Sequence, residues 1–298
     1  MEGHLMNAEM LRRYGAEFLG TCAYVFFGCG ARLVEGNGTT IVSRLVVYFT
    51  FGFVLFVMTY ALGHISGAPF NPAVVVGLAV ARRFPWRYVW PYWLAQIGGA
   101  LAASALHFIL LPDRAIAGHY GATIPAVGLG QAVGIEAIIT FFLMLVSMAA
   151  STERRVNRAA VGLATGLTIT LGGLFAGPLT GGSMNPARSL APALFAGGIA
   201  LTDVWIYWVG PLLGAILGAV VFERLRGDEE YALEVPEGIF RSIKRNHLPV
   251  DTSSTLNESD MLPGPAPLSC HKDAMMQIVW NTIQPLSRSM HLAVAVSL

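Results

Sequence analysis

The apolar residues of this chain gather into stretches of about 20, the length a helix needs to cross a hydrocarbon core roughly 30 Å thick. The pattern predicts six spans, at about 15–34, 43–63, 88–111, 130–150, 159–177 and 203–223. Two further apolar pieces, at 71–81 and 185–197, are too short to cross alone, and each opens with Asn-Pro-Ala. The order is three spans and a half-span, given twice.

The two halves match in detail. "AEFLGTCAYVFFGCGA", with Glu17, is answered by "IEAIITFFLMLVSMAA", with Glu136, and the Gly-rich stretch before Asn71 by another before Asn185. An odd number of spans per repeat turns the second copy upside down in the bilayer. Short segments interrupted by Gly and Pro at matching positions of such a repeat point to a transport site near the midplane. Orientation follows from the basic residues near span ends. Arg12 and Arg13, Arg82, Arg83 and Arg87, Arg154, Arg155 and Arg158, and Arg224 and Arg226 fall on one side, whereas the other carries little beyond Arg32 and Arg114. Both termini are therefore expected in the cytoplasm, and the membrane is expected to be the plasma or inner membrane.

Composition agrees with a multi-pass membrane protein. Of 298 residues, 54% are hydrophobic and 12% charged, and the mean hydropathy is +0.58. A net charge of +1 gives no argument for a nucleic acid or acidic partner. Cys22, Cys29 and Cys270 form no CxxC and join no His cluster, so no metal site or cofactor is expected, and Cys22 and Cys29 read as packing residues. The first apolar run lacks a small-residue cleavage site and reads as a retained span. The expected organisation is an N-terminal cytoplasmic segment over 1–13, a membrane-spanning domain over 14–227 with repeats at about 14–112 and 129–225, and a polar Ser/Pro-containing tail over 228–298.

Asn-Pro-Ala is a helix start. Asn is a preferred N-cap, Pro suits the first helical position, and Ala is the best helix former. Asn71, Pro72 and Ala73, and again Asn185, Pro186 and Ala187, should open two short helices. A capping Asn accepts with its oxygen and keeps its NH2 as a donor, so the repeat brings two donors together for the oxygen of a neutral molecule. The positive helix ends behind them disfavour cations and hydronium. The preceding residues, Gly67, Ala68 and Pro69, then Gly181, Gly182 and Ser183, are tolerated as irregular backbone only where they line a water-filled cavity, with their carbonyls as acceptors. Arg188 follows the second Asn by three residues, and a charge at that depth marks function by default.

With "AEFLGT", "GHISGAPFNPAV", "IEAIITF", "GGSMNPARSLAPAL" and "WIYWVGPLLGA" in place, the chain resembles the aquaporin family of major intrinsic proteins over roughly residues 10 to 226. The resemblance implies an all-α membrane protein of six transmembrane helices and two re-entrant half-helices, with one pore per subunit of a homotetramer. It also implies a filter near the outer mouth made by Phe51, Gly173, Gly182 and Arg188. For Glu17 and Glu136 it implies a supporting role, accepting hydrogen bonds from the loops before the half-helices; read without it, buried acids in spans also suit a proton relay.

Three departures stand out. Water channels of the family usually have His where this chain has Gly173, and a filter with Gly173 and Gly182 looks wide on two of its four sides. Glycerol channels tend to have Trp where Phe51 stands and Asp where Ser189 stands. Pro69 replaces a usual His and removes a backbone donor. The expectation is a passive channel for water and small neutral solutes such as glycerol, urea or undissociated metalloid acids, with a strictly water-selective pore as the alternative. An ion-coupled transporter and a junctional or scaffolding protein fit less well. No nucleophile with a base, metal cluster or phosphate loop suggests an enzyme. Gly210, Gly214 and Gly218, a double GxxxG, are expected to let helices approach closely.

Overall fold

The computed structural model describes residues 2–36, 40–152 and 158–226. The expected tail over 228–298, Cys270, Arg154 and Arg155 lie outside the described residues. Ten α-helices account for most of the described chain: α1 (Glu2–Val34), α2 (Ile41–Ser66), α3 (Pro72–Val80), α4 (Val89–Leu110), α5 (Pro112–Ala117), α6 (Leu129–Thr152), α7 (Arg158–Thr180), α8 (Pro186–Ala196), α9 (Gly198–Thr202) and α10 (Ile206–Arg226). Short 3-10 turns lie at Trp86–Tyr88 and His119–Gly121, and no strand occurs among the described residues. Six helical stretches, belonging to α1, α2, α4, α6, α7 and α9–α10, are long and apolar enough to cross a membrane. The protein is thus an all-α, multi-pass membrane protein, with α3 and α8 as the two half-length helices.

The element ends follow local chemistry. Thr40 caps α2, its side chain accepting the Ser43 N–H while Ser43 Oγ accepts the Thr40 N–H. That reciprocal box satisfies two donors that helix geometry leaves open. At the far end of α2, Gly67 takes φ 86° and returns its N–H to Gly63, and at the end of α7, Gly181 takes φ 90° and returns its N–H to Gly177, both at 3.0 Å. Only glycine adopts this left-handed stop without a Cβ penalty. Two details differ from the apolar pattern. α1 begins at Glu2, because nothing between Glu2 and Arg13 breaks a helix, so the segment expected over 1–13 is largely continuous with the first span. α7 runs on to Thr180 through Pro178, a position in its last turn.

Three helix pairs hold the bundle, each through glycine. A Cβ placed on Gly214 of α10 would stand 2.1 Å from the Ala137 carbonyl of α6, and one on Gly99 of α4 would stand 2.2 Å from the Phe18 carbonyl of α1. Between α2 and α7 the contact is mutual, Gly52 meeting the Gly166 carbonyl at 2.5 Å and Gly166 that of Gly52 at 2.4 Å. Lipid tails are as apolar as Leu, so close backbone approach and the dispersion it permits replace the hydrophobic drive available in water. The polarity of the bundle is correspondingly inverted. Glu17, Glu136, Gln96, Asn71, Asn185 and Arg188 are buried, whereas Ile41, Leu94, Phe175 and Leu171 lie on the outside.

Candidate functional site

α3 and α8 meet end to end inside the bundle, and the two loops leading into them repeat one hydrogen-bond plan. Asn71 caps α3 by accepting the Ala73 N–H at 2.9 Å, and Asn185 caps α8 by accepting those of Ala187 and Arg188 at 3.0 and 3.3 Å. Each amide then donates across the centre: Asn71 Nδ2 to the Met184 carbonyl at 2.7 Å, and Asn185 Nδ2 to the Phe70 carbonyl at 2.9 Å. One N–H of each NH2 is thereby used to lock the opposite loop. Both Asn side chains line the central cavity.

The residues before each Asn are held in turn by an acid. Phe70 and Met184 are non-glycine residues at φ 44° and 54°, a conformation that costs about 1–3 kcal/mol and persists only where surroundings impose it. The surroundings are Glu17, which accepts the Phe70 N–H at 3.0 Å, and Glu136, which accepts the Met184 N–H at 2.8 Å. The last helical residue also helps each loop: Ser66 Oγ accepts the Ala68 N–H at 3.0 Å and Thr180 Oγ1 accepts the Gly182 N–H at 3.2 Å. Two tyrosines pin these same residues from outside, Tyr92 donating to the Ser66 carbonyl at 3.0 Å and Tyr207 to that of Thr180 at 2.6 Å.

The plan differs between the halves around the two acids. Ser183 gives its N–H to Glu136 Oε1 at 2.9 Å, and Thr180 gives its hydroxyl to the same atom at 2.7 Å. Pro69, the counterpart of Ser183, has no N–H to give. Glu17 Oε2 takes both the Phe70 N–H and Gln96 Nε2, the latter at 2.7 Å, while Glu17 Oε1 is buried without a donor.

A cavity of about 80 Å³ runs along the first loop. Gly67, Ala68, Pro69 and Phe70 form one side, with Asn71 and Asn185 at its end. Leu55, Leu143, Val161 and Ile169 form an apolar wall relieved by Thr59, Ser147 and Thr165. Gly181 and Ser183 belong to the second loop and do not line this cavity. Beyond the Asn pair stands Arg188, 1% exposed, whose Nη1 donates to the Gly121 carbonyl at 3.0 Å. Its guanidinium lies 4.8 Å over the Phe51 ring, and Nη2 is enclosed with no protein partner. Ser189 is tied to Thr123 at 2.8 Å and to Ser183 at 2.6 Å, which links the second loop to the segment carrying Gly121.

The four positions expected as a filter fall into two neighbouring pairs. Arg188 and Phe51 stack, while a Cβ on Gly182 would stand 3.0 Å from the Gly173 Cα. Phe51 leans into a notch in α1, where a Cβ on Gly28 would come within 2.1 Å of it, and its ring meets that of Tyr24 edge-on at 5.2 Å. The space beside Gly173 is not vacant: the Tyr48 ring fills it.

The sequence model described as "Major intrinsic protein" matches residues 4–222. The chain belongs to the major intrinsic protein family. It is therefore a membrane channel and not an enzyme. Among the relatives it is similar to, aquaporin NIP1-1 of Zea mays is 40% identical over 222 residues, covering 74% of this chain and 77% of the relative. Aquaporin NIP1-4 of Oryza sativa subsp. japonica is 42% identical over 228 residues, covering 76% and 82%. Among solved structures, the aquaglyceroporin from Plasmodium falciparum is similar with a TM-score of 0.63 at 26% identity, over 75% of this chain and 98% of that one.

Within this family member, sequence reasoning missed Phe70 and Met184, whose carbonyls receive the Asn amides, and Tyr48. The first two could have been found from their place before each Asn. The role of Tyr48 has no local signature.

Proposed function

We propose that the chain is a passive pore for water and small neutral solutes, among them glycerol, urea or undissociated metalloid acids, and that it excludes ions and protons. The names of its relatives, aquaporins and an aquaglyceroporin, support this reading. The observation that carries it is the central cavity, with a loop and two Asn amides on one side and an apolar wall on the other. A permeant with hydroxyls along one edge and C–H groups along the other matches both, while a bare cation meets two helix N-termini and Arg188. Assembly as a homotetramer with both termini cytoplasmic, in a plasma or inner membrane, belongs to the same reading. Asn71, Pro72, Ala73, Asn185, Pro186 and Ala187 form its centre, Phe51, Gly173, Gly182 and Arg188 its filter, and its carbonyl lining comes from Gly67, Ala68 and Pro69 along the cavity and from Gly181 and Ser183 outside that cavity.

A strictly water-selective pore is the second reading, favoured by the Tyr48 ring beside Gly173. Proteoliposomes separate the two. Vesicles holding the protein should shrink faster than empty ones after an osmotic step, without current, and should take up glycerol, urea or boric acid above the empty control. Equal shrinkage rates would end the channel reading; fast shrinkage with no uptake of any of the three would leave water alone.

A further inference from the structure

We infer that Tyr48 of α2 acts as a fifth filter side chain, occupying the place that Gly173 and Gly177 of α7 leave open and setting which neutral solutes pass. This rests on the reading of the pore as a channel for water and neutral solutes.

The argument begins with space. A Cβ on Gly173 would stand 2.2 Å from Tyr48 Cδ1, and one on Gly177 would stand 2.0 Å from the Tyr48 hydroxyl oxygen. The ring therefore lies lengthwise along α7, from the filter position to one turn beyond it. Tyr48 is 5% exposed and precedes Phe51 by three residues, so both rings project from neighbouring positions on one face of α2. Phe51 turns aside into the notch at Gly28 and stacks under Arg188. Gly182 abuts the Gly173 backbone. Where Gly173 and Gly177 carry no side chain, the wall is supplied by the Tyr48 ring of α2.

The backbone of this position is fixed. The Tyr48 carbonyl accepts the Thr170 hydroxyl at 3.2 Å, in the same α2–α7 contact that the facing glycines Gly52 and Gly166 close. The Tyr48 hydroxyl lies at the far end of the ring, beside Gly177. A phenol oxygen can both donate to and accept from a permeant hydroxyl. Tyr48 thus contributes a rigid wall and a polar tip. Arg188 Nη2, buried without a protein partner, is a further donor at the filter.

A consequence follows for position 173. A residue larger than Gly there cannot simply narrow the pore, because its Cβ claims the volume of the Tyr48 ring.

Stopped-flow measurements on proteoliposomes test the inference, with water, glycerol and the longer polyol erythritol read on the same vesicles and folding checked by circular dichroism. Tyr48→Ala is expected to raise the glycerol-to-water permeability ratio severalfold and to admit erythritol. Tyr48→Phe is expected to keep erythritol out while lowering the glycerol-to-water ratio, since the wall stays and the hydroxyl goes. Because Tyr48→Ala also empties space in the α2–α7 contact, a second variant moves the ring instead of deleting it. Gly173→His alone should lose flux of all permeants, and Tyr48→Gly combined with Gly173→His should restore water flux with an altered glycerol-to-water ratio.

Unchanged ratios and an unchanged polyol limit in both folded single Tyr48 variants would overturn the inference and leave Tyr48 as packing. Failure of the underlying reading looks different: the parent protein would then conduct no water above empty vesicles. A parent that passes water but no glycerol, with glycerol passing in Tyr48→Ala, would retire the solute half of the proposed function and uphold Tyr48 as the filter residue.

Discussion

The side-chain amide of Asn185 donates to the carbonyl oxygen of Phe70 across 2.9 Å, so the residue that starts one half-helix holds the loop that leads into the other. Asn71 and Met184 repeat the relation at 2.7 Å. Each Asn therefore caps a helix, fixes the opposite loop and faces the cavity at once, which leaves little freedom to substitute it.

Replacing Asn71 or Asn185 with Ala should destabilise the protein by about 1–2 kcal/mol each through the lost cap alone. The two cross-loop bonds share one structure, so the double variant should cost less than the sum of the singles, with a coupling of about 0.5–3 kcal/mol. Thermal unfolding in detergent gives the comparison, and strict additivity would argue against a shared lock.

The two buried acids should respond unequally to Glu→Gln. Both oxygens of Glu136 receive donors, so the NH2 of Gln must face the backbone N–H of Ser183 or of Met184, which it cannot accept. A loss of about 1.5–3 kcal/mol is expected, the range for one hydrogen bond to a charged group. At Glu17 the NH2 can occupy the Oε1 side, which has no donor, and the midpoint should move little. Equal shifts would contradict this asymmetry.

Pro69→Ala restores a backbone N–H at the position where Ser183 binds Glu136. The new bond to Glu17 Oε1 should add about 1.5–3 kcal/mol, against about 0.4–1 kcal/mol lost by freeing the unfolded chain. A higher unfolding midpoint is expected, and the gain should vanish in a Glu17→Gln background. A lower midpoint would show that the N–H does not reach the acid.

Glycines of α6 and α10 should differ sharply. Gly214→Val drives a side chain into the Ala137 carbonyl and should cost at least 1–3 kcal/mol, roughly the range for overpacking. Gly134→Ala meets nothing within 4 Å on an exposed helix face and should gain about 0.5–1 kcal/mol. Unfolding midpoints of the two variants decide the matter.

Arg188→Val removes the guanidinium from over Phe51 and the charge that faces an entering cation. Urea uptake should rise and a voltage-driven current should appear where the parent shows none. An electrically silent variant would place the cation barrier wholly at the half-helix termini.

Much of this architecture could be read from local chemistry. Stretch length marks the spans, Asn-Pro-Ala marks the two helix starts with Asn71 and Asn185 as their caps, and the Gly-rich runs before them mark irregular backbone. These features depend on a residue and its near neighbours, so they survive without a fold. The pairing of Phe70 with Asn185 and of Met184 with Asn71 joins residues more than a hundred positions apart, and only the packed bundle sets those distances. The same holds at the filter. The sequence by itself determined an absence, two glycines at positions 173 and 182, and that absence reads as an opening. The tertiary structure decided what stands there, because the Cβ-less face of α7 lets α2 come close enough for Tyr48 to fill the volume. A side chain missing from one helix says nothing about the ring that a neighbouring helix supplies, since close packing is a property of surfaces in contact and not of either sequence alone.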